Sequence, residues 1–121
     1  LERCSGRPDF LARFYAHFLA SSETVAKKFE HTDLKKQARL LKTSLYIMML
    51  ASDGSERLAH LERLARRHSR TELDIGPELY DLWLDCLIRT VGEFDPKFDR
   101  DIAKAWRQML EPGIEFMKRR Y

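Results

Sequence analysis

Three polar residues stand on helical stripes that are otherwise apolar. His68 continues the series Leu58, Leu61, Leu64 and Ala65, whose steps of three and four place them on one helix face. Gln37 interrupts the step from Leu34 to Leu41, and Tyr15 stands beside Phe14, three residues before Phe18. A polar group on a buried face costs about 1–3 kcal/mol unless something bonds it. Each therefore has two readings. His68 either packs its ring on the core and reaches backbone or water, or it ligates a metal; a single imidazole suffices for iron when a porphyrin supplies the equatorial ligands. Gln37 is either a boundary residue or an amide donor aimed at a ligand, and Tyr15 either edges the core or presents its hydroxyl to the same ligand. The order is donor (Tyr15), aromatic (Phe29), donor (Gln37), ligand candidate (His68). A pocket between facing helices needs such an order.

The elements that must position these residues are all helical in period, with no alternating strand pattern. A first helix ends at residues 1–4. Pro8 is expected to open the next, with Phe10, Leu11, Phe14, Tyr15, Phe18 and Leu19 inward. A short helix follows the serines at 21–22 and covers 23–29. Asp33 caps a helix running to about residue 51, along Leu34, Gln37, Ala38, Leu41, Leu45, Met48 and Met49. Asp53 and Glu56 resemble a capping box ahead of the His68 helix, on which His60 falls off the apolar stripe and is expected at the surface. A loop over 71–76 leads to Pro77 and a helix facing inward with Leu79, Leu82, Trp83, Cys86, Leu87 and Val91. Asp95-Pro96 is expected to open the last helix, whose stripe is Phe98, Ile102, Trp106, Met109, Leu110, Ile114 and Met117, with a kink at Pro112. The expectation is an all-α domain of about six to seven helices around one core.

The chain has 121 residues, 44% of them hydrophobic, enough for one core able to enclose a small ligand. Its net charge of +3 comes from interspersed charges, with KRR at 118–120 as a small basic run, so a nucleic-acid footprint is not indicated. No apolar run approaches the length of a membrane span, and no secretory signal is present. Cys4 and Cys86 form neither a disulfide framework nor a zinc-like spacing, and Cys86 reads as a reduced core residue, so a cytoplasmic location is the expectation. The chain starts at Leu1, which suggests a truncated N-terminal helix.

With these residues in order, the sequence resembles the globin family, in particular bacterial single-domain haemoglobins and the haem domain of flavohaemoglobins. The resemblance rests on FYAHFL (14–19), VAKKF (25–29), KKQARLL (35–41), LARRHS (64–69), PELY (77–80) and AW (105–106), and it spans about residues 8–118. It implies one globin domain over 1–121 that binds haem b. His68 would be the iron ligand, its other ring nitrogen donating to a carbonyl near Leu64. Phe29, Leu41 and Tyr80 would contact the haem, and Arg67 or His31 would face its propionates. Tyr15 and Gln37 would donate to a diatomic gas. Leu11, Phe18, Leu41, Leu45, Leu64, Leu82 and Met109 would line the pocket. In the ferric form Tyr15 or Lys36 could serve as sixth ligand.

The function implied is reversible binding of O2, with NO and CO as further ligands. Nitric oxide dioxygenation or a weak peroxidase activity would need an external reductase. The alternative is the gas-sensing module of a longer signalling protein; a globin-like interaction domain without haem would have no need of His68. The sequence departs from the family in its short N-terminal helix, in the long stretch SRTELDIG after His68, and in lacking a late glutamate to support the proximal histidine.

Overall fold

The computed structural model describes residues 2–50, 54–69 and 75–121. Among them are seven helices and no strand: α1 (Glu2–Ser5), α2 (Phe10–Ser21), α3 (Glu23–Lys28), α4 (Leu34–Leu50), α5 (Gly54–His68), α6 (Glu78–Phe94) and α7 (Arg100–Arg119). The expected all-α architecture and helix number are both present.

Side-chain caps set the starts of α3, α4 and α7. The Ser22 hydroxyl accepts from the Val25 amide and opens α3, and Asp33 Oδ1 accepts from the amides of Lys35 and Lys36 ahead of α4. Asp99 does the same for α7 through the Ile102 amide at 2.9 Å. Pro77 stands at the N-cap of α6, whose first turn holds Glu78 and Asp81, where the helix dipole favours negative charge.

Two starts differ from expectation. Pro8 does not open α2. It lies in the turn that joins α1 to α2, where the Arg7 amide returns to the Cys4 carbonyl at 2.9 Å, and the helix starts two residues later at Phe10. Asp95-Pro96 does not open α7 either. The Asp95 carboxylate is taken by the Lys97 amide at 2.9 Å and by Nε and Nη2 of Arg3, at 2.7 and 2.9 Å, so it closes a turn instead of starting a helix. Phe98 therefore falls outside α7, against Gly92. Pro112 lies on the exposed side of α7, which continues through it. The proposed Asp53 cap and most of the 71–76 loop lie outside the described residues.

The helices pack around one core. α2 lies against α6, α3 and α4; α7 lies against α6, α5 and α4; α4 also meets α5. Phe10, Phe14, Val25, Leu87 and Val91 are almost fully enclosed. Phe14 anchors an aromatic group, with ring centroids at 4.9 Å to Tyr15, 5.5 Å to Phe18 and 5.9 Å to Trp83. Leu58 and Met109, expected inward, are 48% and 41% exposed, and Leu34 is at the surface too. Each lies at the margin of a stripe whose neighbours (Leu61, Leu110, Ala38) take the inward position.

Candidate haem-type site

The donor cluster is built on α2, α3 and α4. Tyr15 is 4% exposed, because α2 turns it inward with Phe14 and Phe18. The Phe29 amide bonds the Val25 carbonyl at 3.2 Å as α3 ends, and this cap leaves its ring 5.9 Å from Tyr15 and 6.1 Å from Phe18. Gln37 is in the first turn of α4, its amide held by the Asp33 carbonyl at 3.0 Å. Its side chain hydrogen-bonds Tyr15. Burial pushes the Tyr15 phenol up to about 12, and the bond from Gln37 works the other way without undoing this. Tyr15 therefore remains protonated, a donor rather than a phenolate, at neutral pH. Leu41 is half-buried against the core one turn beyond Gln37.

The ligand cluster is built on α5 and α6. His68 is the last residue of α5, and its Nδ1 lies 2.8 Å from the Leu64 carbonyl oxygen. A carbonyl only accepts, so Nδ1 carries the proton and Nε2 keeps its lone pair. Burial lowers the pKa of the ring; the Leu64 bond raises it in part and the Arg67 charge lowers it further. The neutral tautomer is thus the favoured one. No described residue is a hydrogen-bond partner of Nε2. The Ile75 amide bonds the His68 carbonyl at 3.0 Å, so the returning chain satisfies the exposed end of α5 and fixes the residue from behind. The sequence signal for this contact is an isoleucine just before Gly76-Pro77, which periodicity alone cannot assign. The Tyr80 ring, buried on α6, lies 6.4 Å from the imidazole, and its phenol is also pushed up to about 12 by burial.

The remaining charged residues and histidines lie at the surface or between helices. Arg67 is exposed beside His68, and His31 is 92% exposed next to Glu30. His60 is not the exposed residue expected: it is half-buried, with Nε2 3.1 Å from Ser44 Oγ, and ties α5 to α4. His17 pairs with Glu93 and so ties α2 to α6. Glu115, late on α7, is exposed and pairs with Lys118 at 3.6 Å.

The residues fit a porphyrin-bound iron. A neutral imidazole offers an unpartnered lone pair. Phe29, Ala38, Leu41, Leu61 and Leu64, half-buried on the flanking elements, supply apolar surface that the protein alone does not fully cover. Among the described residues no group of three His, Cys, Asp or Glu side chains could hold a metal by itself. A metal at His68 would take its remaining ligands from a non-protein group. No described helix is long and apolar enough to cross a membrane.

A family model described as Globin matches residues 12–114. A crystal structure from Pseudomonas aeruginosa PAO1, of the protein PA3967, described as structurally highly homologous to a human hemoglobin, is similar in fold and sequence. It shares 40% identity at a TM-score of 0.85, over 98% of this chain and 90% of that one. No curated protein matches the chain by sequence.

Proposed function

The chain belongs to the globin family, and from that premise we propose that it holds haem b through His68 Nε2 and binds O2, with NO and CO as further ligands. The observation that carries this reading is the bond from His68 Nδ1 to the Leu64 carbonyl, which fixes the ring and leaves the other nitrogen as a Lewis base. Phe29, Leu41 and Tyr80 would pack on the group, and Arg67 would face its carboxylates. The haem would supply an iron centre able to take a diatomic gas. Tyr15 and Gln37 would donate to that gas in a dry pocket, where a hydrogen bond is worth more than in water. Gln37 interacts with the Tyr15 hydroxyl, which supports placing both donors at one point of the pocket. Turnover of NO or peroxide would need electrons from a separate reductase.

Hemin titration tests the reading. One haem per chain, with a Soret band that shifts on reduction and again with CO, is the expected result. A protein that stays colourless, or a His68→Ala variant with unchanged reduced and CO spectra, contradicts it.

A further inference from the structure

A groove of about 490 Å3 lies between the last turns of α5 and the end of α7, lined by Glu62, Ala65, Arg66, Ser69 and Arg120. Two arginines reach it from different helices, and both are exposed. Neither Arg66 nor Arg120 forms an ion pair with a carboxylate among the described residues. Arg120 instead lies over the Phe116 ring, 4.3 Å from its centroid, which holds the guanidinium plane in place. Several other surface cations are matched, Arg3 by Asp95, Arg13 by Glu93, Arg107 by Asp85 and Lys118 by Asp81. Exposed Arg63 and Arg119 extend the positive surface from the same two segments, against Glu62, the one lining carboxylate among the described residues.

We propose that this groove docks an acidic surface of a partner protein. Guanidinium groups bind carboxylates through two parallel hydrogen bonds, and unpaired exposed arginines steer an acidic partner during encounter. The sign of the neighbouring surface favours a folded protein over a nucleic acid or an anionic membrane. A second groove, of about 290 Å3 between α6 and α7, is lined by Asp81, Asp85, Glu111 and Glu115, with Arg107 as its one lining cation among the described residues, paired with Asp85. Glu111 and Glu115 precede Arg119 and Arg120 on the same helix, so a continuous polyanion laid on the arginines would meet carboxylates within about two turns. A protein presents a finite acidic patch and can end before that band. The groove stands on the helix that carries His68. If the haem reading holds, on which this last point alone rests, the docked protein is placed to serve as the external reductase.

Calorimetric titration of the haem-loaded protein with a peptide of about four glutamates, roughly 14 Å long when extended and so short enough to end before the carboxylates of α7, tests the docking. Expected is binding at low salt that fades at about 0.15 M salt, where exposed charges are screened beyond roughly 8 Å. The double variant Arg66→Glu/Arg120→Glu should weaken it about tenfold or more, with helical circular dichroism and the Soret band unchanged. The control Arg100→Glu/Lys104→Glu, at the other end of α7, should bind as the wild type does. Undetectable peptide binding, an equal loss in the control, or tighter binding of inorganic pyrophosphate or duplex DNA overturns the proposal. Peptide binding by a chain that takes up no haem keeps the docking site and removes the haem reading; a normal Soret band without peptide binding does the reverse.

Discussion

The ligand role proposed for His68 rests on the bond made by its other ring nitrogen. With the Nδ1 proton committed to Leu64, the tautomer is set and Nε2 is left as an acceptor. Tyr15 is a donor because a phenol is protonated at neutral pH, and burial, which pushes its pKa up to about 12, reinforces this. Replacing Tyr15 by Phe removes a hydroxyl worth about 1 kcal/mol as a neutral hydrogen bond, which is roughly a fivefold rise in the O2 dissociation rate. Stopped-flow release measurements check this, and an unchanged rate removes Tyr15 from ligand stabilisation. His60 gives a pH prediction. Burial, with Arg63 nearby, holds its folded value below the ordinary 6.5, while Glu56 opposes this in part. Its contribution to stability is therefore complete above pH 6.5 and is lost as pH falls through the lowered folded value. The thermal midpoint should drop between neutral and mildly acid pH, and His60→Gln should flatten that drop.

Between helices, close approach depends on small residues. A Cβ at Gly113 on α7 would come within 2.7 Å of Met48 Cε on α4 and 3.2 Å of Leu61 Cδ2 on α5. Gly113→Val should destabilise the fold by about 1–3 kcal/mol through overpacking, measured by denaturant unfolding. Gly113 is not legible as a contact point in the sequence, because a glycine in a helical pattern looks the same whether it faces solvent or a neighbour. The stripes of α2, α4, α5 and α6 are legible there, since long apolar runs at helical period leave little choice of inward face. The starts of α2 and α7 are less so. Pro8 and Pro96 both suit a first helical turn, but the Arg7 amide and the Arg3 guanidinium compete for the neighbouring groups, and the second of those contacts spans the chain. The half-buried place of His60 escapes a sequence reading for a similar reason: its partner Ser44 lies on another helix.

At the scale of the whole molecule, Arg3 and Asp95 close the fold by joining α1 to the turn between α6 and α7. The hydrogen bonds from Arg3 and from the Lys97 amide, helped by the Arg3 charge, hold the Asp95 carboxyl below its usual value despite burial. The pair should contribute stability above pH 3.8 and lose it as pH falls through the lowered folded value. Arg3→Met should then unfold at lower denaturant than the wild type at neutral pH, with the gap closing in strong acid. Tyr15, Phe29, Gln37 and His68, on four separate segments, are legible as an ordered set in the amino-acid sequence; which of them touch is not, because each contact joins two helices. The fold joins Tyr15 to Phe29 and Gln37, and His68 to Leu64 and Tyr80. The central claim is that these two clusters hold iron through His68. Resonance Raman spectroscopy of the ferrous, ligand-free protein tests it most directly. An iron–imidazole stretching band in the wild type, absent in His68→Gly and restored by added imidazole, is the result expected. The same band persisting in His68→Gly without imidazole would contradict it.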